Sequence, residues 1–246
     1  WFTGGIGRFL DRQFPRRADN VIAPHYRLAG HLVIRGCSQD QIIVVPPPMN
    51  AELFEPSSVH ADVVPPVVYA GNVDPYQNLP LLIAAMKKVR QKETGVQLLV
   101  GTAARTHIPG AELVHIPDIQ ALLHFMAQDL VFAVPRVTWS GYPMKILNAM
   151  AAGKAVVACE SAAYPLTHEE TGLIVPDNDV DAYAAALMRL IKEPHLREKL
   201  GTHARQVILE QHKPEAVTQQ LASIAEEAYD RHNTRIRIST MSENHP

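Results

Sequence analysis

Between Pro135 and Asn148 the chain reads PRVTWSGYPMKILN. This stretch gathers two cations, a hydroxyl, an amide and a helix start. A helix is expected from Pro143, since proline is favoured in a first helical turn. Backbone N–H groups of Gly141, Tyr142 and Met144 would then face outward, where first-turn amides lack intrahelical partners and the dipole favours an anion. Pro143 has no N–H to offer. Lys145 and Asn148 stand at i and i+3 and share one helix face, while Ile146, Leu147 and Met150 supply an apolar face for packing. Arg136, just past an apolar run, can reach the same place, and Ser140 lies beside it. A lysine, an arginine, an amide and a helix N-terminus converging on one crevice suit a diphosphate joined to a ribose. The alternative is a plain helix with a solvated Lys145 and a capping Ser140.

A second stretch, GNVDPYQN from Gly71 to Asn78, also joins an apolar run to a helical pattern. Gly71 would let backbone approach a ligand closely, with Asn72 and Gln77 beside it. Taken alone, the same residues make an ordinary turn. The twelve histidines show no paired metal-ligand spacing. Glu169-Glu170 reads as a solvated pair. Gly4-Gly5-Ile6-Gly7 has no strand before it and makes a poor phosphate loop. Cys37 and Cys159 lack metal-ligand spacing, and Cys159, in an apolar run, reads as a buried inert thiol.

The elements that must position these residues alternate. Apolar runs at Val67–Ala70, Val96–Val100, Glu112–Ile116, Leu130–Val134, Ala155–Cys159 and Gly172–Val175 read as strands. Helical patterns follow many of them: Leu79 to Val89 (Asn78 as cap, Pro80 in the first turn), 118–128, 143–152, and then 180–192, 195–210 and 214–231. Continuous apolar strands alternating with helices imply an α/β fold, a Rossmann-like parallel sheet covered by helices on both faces. Ligands of such sheets bind beyond the strands' carboxyl ends. The chemistry is therefore expected in the loops after Ala70, Val100, Ile116, Val134 and Cys159.

Residues 1–65 read differently: a short strand at 20–23, a helix from Tyr26 to Arg35 stopped by Gly36, a strand at 42–45, then prolines at 46–48, 56, 65 and 66. Pro-rich sequence favours linkers. The expected organisation is 1–65 as the end of a preceding domain and its hinge, 66–233 as the Rossmann-like domain with its C-terminal helices, and 234–246 as a frayed polar tail. The first residue is Trp1, and the chain reads as part of a longer protein. With 47% hydrophobic and 20% charged residues and a net charge of -2, it can bury a core and has no global basic field to recruit nucleic acid. No run of about 18 apolar residues suggests a membrane span, and no signal peptide is visible. The two cysteines suit a reducing compartment.

Three stretches resemble a known family: VVYAGNVDPYQNLPLLIAAM, SGYPMKILNAMAAGKAVVACE and TGLIVPDNDVDAYAAALMRLIKEPHLREKLGTHAR. They are similar to the retaining nucleotide-sugar glycosyltransferases of GT-B fold (glycosyl transferases group 1). The segment from Arg16 to Phe54 resembles the end of that family's first domain and its hinge. The resemblance covers roughly 8–230. It implies a hexosyltransferase whose C-terminal half binds a nucleoside diphosphate sugar and whose first domain, mostly absent here, carries the acceptor site. It implies no cofactor and no metal, since no Asp-x-Asp site is visible. The acceptor would be a saccharide, a lipid or a small molecule. The enzyme would be cytoplasmic, with any peripheral contact at the inner membrane face made through the first domain.

The chain departs from the family pattern at four positions. Where the family has two glutamates before its AMAAG core, this chain has Ser140 and Asn148. Where it has arginine and lysine after the first glycine, this chain has Asn72 and Gln77. Lys145 and Arg136 are expected to compensate on the diphosphate, and Asn148 to meet the ribose as a neutral group. The donor set is thus Gly71, Asn72, Gln77, Arg136, Ser140, Gly141, Tyr142, Met144, Lys145 and Asn148, with no catalytic residue assigned. Two other readings stay open: a non-catalytic protein of this fold that binds a nucleotide sugar or a partner, and a sugar-nucleotide epimerase. A Rossmann dehydrogenase is disfavoured, because no G-x-G-x-x-G follows a strand.

Overall fold

The structure, a computed structural model, describes residues 2–55, 59–138 and 141–243. The chain divides into two compact units, 49–211 and 1–48 with 212–246. The larger unit is built on six strands: β3 (Val67–Ala70), β4 (Leu98–Thr102), β5 (Glu112–His115), β6 (Val131–Val134), β7 (Ala155–Cys159) and β8 (Leu173–Val175). All neighbours pair in parallel, in the order β5-β4-β3-β6-β7-β8. The sheet thus grows outward in both directions from β3 and β6, the doubly wound order of a Rossmann-like fold.

Period-two alternation sends the strand side chains to two cores. Val67 and Tyr69 face a core closed by α3 (Leu79–Lys92) and α6 (Val180–Lys192), while Val68 and Ala70 face one closed by α4 (Ile119–Met126), α5 (Met144–Ala151) and α7 (Pro194–Gln211). At one point α7 meets the end of α5 backbone to backbone. A Cβ added to Gly201 would overlap the carbonyl of Gly153, and a backbone atom cannot rotate away. Gly201→Ala is expected to lower unfolding free energy by about 1–3 kcal/mol, an overpacking cost, read as a lower denaturation midpoint at unchanged m-value.

The smaller unit pairs β1 (Val21–Ala23) and β2 (Ile42–Val44) in parallel and contains α1 (Phe2–Gln13), α2 (Tyr26–Ile34) and α8 (Pro214–Glu243). Val45, Val217 and Ile224 form its buried cluster.

Several sequence expectations shift. The boundary near 60–66 falls inside the larger unit, because Met49, Ala51 and Phe54 are buried in its second core. The expected frayed tail is helical to Glu243, in keeping with a stretch free of glycine and proline from Glu215 to His245. Asn78 does not cap α3 with its side chain: it sits in the left-handed region (φ +57), and its Nδ2 donates to Pro135 O and Asn178 Oδ1, both at 3.2 Å. Helix α1 was not expected, since Gly4, Gly5 and Gly7 weaken helix propensity. Among the described residues no helix is long and apolar enough to cross a membrane.

Candidate functional site

Two cavities open at the carboxyl ends of β3 and β6. The first, about 500 Å³, is floored by small residues at the ends of β3 and β4 (Ala70, Gly71 and Gly101). Asn72, Asp74, Asp118, Lys145 and Asn148 also line it. The second, about 210 Å³, lies among the loops after β3, β6 and β7 and is lined by Asn72, Tyr76, Gln77, Arg136, Gly141, Tyr142, Met144, Lys145 and Tyr164. Asn72 and Lys145 line both. Every described residue of the sequence-derived set thus faces one cavity or the other; Ser140 lies outside the described residues.

Lys145 rises from the first turn of α5, on the far side of the sheet from the Tyr69 ring, and reaches over the strand end. Its Nζ donates to Tyr69 Oη at 2.5 Å and to Asn72 Oδ1 at 3.3 Å, and lies 4.6 Å from the Tyr69 ring centroid. The Tyr69 hydroxyl in turn donates to the backbone carbonyl of Asn72. Gly71, at φ +138, makes room for this: any Cβ there would collide with Lys145 Cε and Nζ. The sequence reading reserved Gly71 for the close approach of a ligand. The approach that requires it is made by Lys145.

Burial lowers the Lys145 pKa to about 8, helped by the charge of Arg136 and opposed by Asp74. Burial raises the Tyr69 hydroxyl above its usual range, so it stays neutral. The pH consequence follows from the sign of the lysine shift. Lys145 is an ammonium below about 8 and loses its charge as pH rises through that value. Affinity for a sugar nucleotide, whose doubly esterified diphosphate does not titrate in this range, is therefore expected to be flat from pH 6 to 7 and to fall between pH 7.5 and 9.5. Calorimetric titrations across that range test this, and a flat profile would remove the lysine charge from the site.

Asn72 and Gln77 form a neutral network. Buried Gln77 donates from Nε2 to Asn72 Oδ1 at 2.6 Å. Asn72 Nδ2 donates to Asp74 Oδ2 at 2.5 Å and to Tyr76 Oη at 2.8 Å. Gln77 therefore orients Asn72, and Asn72 orients Lys145. Arg136 donates from Nε to Thr138 O at 2.5 Å and lies 5.1 Å from the Tyr76 ring centroid. Asn148, half-buried, faces the first cavity, one turn below Lys145, as the shared helix face requires.

The helix start corrects one expectation. The Met144 N–H does not point outward: it donates to Tyr142 O at 2.9 Å, which tightens the chain into the first turn. Tyr142 packs edge-on against Tyr164, with centroids 5.5 Å apart and an 81° interplanar angle. It acts as wall more than as donor.

The sequence reading missed Tyr69, Tyr76, Asp74 and Asp118. Asp118 Oδ1 accepts from Ala121 N at 2.9 Å and caps α4; an aspartate before an apolar periodic run carries that signal. The other three had none, because their partners depend on the loop's tertiary course. Charge divides the cavities. Among the described residues, the lining of the second contains Arg136 and Lys145 and no carboxylate, whereas the first contains Asp74 and Asp118. Among the described residues no three His, Cys, Asp or Glu side chains cluster as metal ligands would.

Known proteins resemble this chain in sequence and in fold. The putative colanic acid biosynthesis glycosyltransferase WcaL of Salmonella typhimurium is 26% identical over 234 residues, covering 87% of this chain and 58% of its own length. Sucrose-phosphate synthase from Thermosynechococcus elongatus superposes with a TM-score of 0.77 at 23% identity, over 91% of this chain and 61% of that one. Anabaena HepE in complex with UDP-glucose superposes at 0.74 and 15% identity, over 89% and 67%. The chain spans 58% and 50% of the length of two curated relatives. The family described as glycosyl transferases group 1 matches residues 64–193, more than half of the sequence, and the chain belongs to that family.

Proposed function

We propose that this chain supplies the donor-binding half of an enzyme that transfers a sugar from a nucleoside diphosphate sugar to a saccharide, lipid or small-molecule acceptor. Transfer proceeds with retention of anomeric configuration and without a metal ion. The observation that carries this reading is the Lys145 ammonium in the wall shared by two cavities of different charge. The nucleoside occupies the larger cavity, whose volume is typical of small-molecule sites, with Asn148 at the ribose. The diphosphate crosses Lys145 toward the carboxylate-free cavity and Arg136. As the sugar leaves, the diphosphate gains negative charge, and two prepositioned cations beside a helix start stabilise it. In this reading they serve where other transferases use a metal. The UDP-glucose bound by Anabaena HepE supports the donor class, and retention follows the family resemblance.

The test is incubation of the whole protein with a panel of UDP-, GDP- and ADP-sugars and an acceptor mixture. Free nucleoside diphosphate and the anomeric configuration of the product are followed by NMR, with and without EDTA. Turnover with retention in EDTA is expected. Inversion, or loss of turnover with the chelator, overturns the corresponding part. Binding without turnover favours a non-catalytic protein, a reading motivated by neutral Asn148 where the family has a glutamate. Isomerised donor would make it an epimerase.

A further inference from the structure

An ammonium that is to meet an anion must be held in place without having its charge cancelled. A carboxylate partner would hold it and neutralise its field. In this chain the holder is a phenol. Tyr69 Oη accepts the 2.5 Å hydrogen bond from Lys145 Nζ, and the ammonium, 4.6 Å from the ring centroid, sits out beyond that oxygen. The hydroxyl proton is committed elsewhere, to the carbonyl of Asn72. The phenol can therefore only accept from the lysine, and the direction of the bond is fixed. Tyr69 is fully buried on β3, next to Gly71, whose missing side chain opens the path for Lys145. Its one hydroxyl thus ties the loop after β3 to the cation that α5 delivers.

We infer that Tyr69 is a positioning residue for the anion site: a buried, neutral acceptor that fixes the Lys145 ammonium between the two cavities and, through Asn72, fixes the loop beside it. This rests on the proposed donor-binding role of Lys145. Tyr69 does not line either cavity and touches no ligand. It acts through the lysine and the loop. Asn72 Oδ1, 3.3 Å from Nζ, is a second neutral acceptor, and buried Gln77 holds it in turn. The acceptors that hold the cation are thus uncharged oxygens, and the nearby Asp74 carboxylate, bonded to Asn72, acts on it only through space.

The test substitutes Tyr69→Phe, which keeps the buried ring and removes only the oxygen. Pyrophosphate, UDP and GDP are titrated calorimetrically into both proteins from pH 6 to 9.5. The Lys145 side chain is followed in the free proteins by ¹³C NMR of labelled lysine, assigned with a Lys145→Arg variant. The variant is expected to bind all three probes about five- to tenfold more weakly at pH 7. The midpoints of its pH profile and of its lysine titration are expected to fall below those of the unsubstituted protein, since the bond to Oη favours the charged amine. Equal affinity in the two proteins overturns the inference and leaves the donor site standing. Weaker binding with unchanged midpoints also overturns it, because a loosened core would act without moving the lysine's titration. Failure of the unsubstituted protein to bind any probe overturns the donor site itself, and this inference with it.

Discussion

Replacing Lys145 with alanine is expected to weaken donor binding at least about tenfold, or about 1.4 kcal/mol. The loss has two sources. A charge-assisted hydrogen bond contributes about 1.5–3 kcal/mol, and among the described residues Lys145 is the one cation that lines both cavities. Its removal also empties the space above Gly71 that the lysine stem fills, so water enters where a phosphate would otherwise displace it. The fold should survive: Tyr69 keeps its bond to the Asn72 carbonyl, and the buried face of α5, with Ile146, Leu147 and Met150, is untouched. Calorimetry with UDP, GDP or a sugar nucleotide that binds the parent protein measures the effect. An unchanged dissociation constant takes Lys145 out of the site and leaves Arg136 alone to meet the diphosphate.

The second large effect concerns stability. Arg197 is 2% exposed and pairs with Asp129, 9% exposed, at 3.1 Å. The guanidinium also donates to Leu190 O at 2.9 Å and Ile191 O at 3.1 Å, carbonyls in the last turn of α6. Asp129 Oδ2 accepts a further bond from His60 N at 2.9 Å. Asp129→Ala strands a buried cation and leaves the exposed His60 N–H to water. Breaking one side of such a pair costs about 3–5 kcal/mol. At roughly 2–4 °C per kcal/mol for a chain of this size, the melting temperature should drop by about 6–20 °C. A drop of under about 2 °C would mean that water reaches the guanidinium and solvates it. Donor affinity at temperatures below the transition should be unaffected, because neither partner lines the two cavities.

The strands were legible because parallel strands covered on both faces must be apolar at every position, and Val67–Ala70 and Ala155–Cys159 are. Strand β4 starts at Leu98 and not at Val96: Val96 is buried between exposed Gly95 and Gln97 but lies outside the ladder, and burial alone does not mark pairing. The helix delivering Lys145 and Asn148 was legible from its period, and so was their shared face. What the sequence could not disclose is how the cation is held. Tyr69 looks like any core residue of a buried strand, and its partner is 76 positions away. Asn78 carries the chemistry of a helix cap, yet its side chain is drawn off by a carbonyl 57 residues further on. The Met144 amide was lost to a local turn that only backbone geometry reveals. In each case a long-range or conformational bond overrode a local preference.

The bonds of Asn78 have a kinetic corollary. One amide nitrogen is shared between Pro135, at the exit of β6, and Asn178, in the turn before α6. Three rim segments distant in sequence are thereby stitched at a single atom. A molecule pressing on any one of them must drag the others along or break a bond worth about 1 kcal/mol, a small added resistance to opening the rim segment by segment.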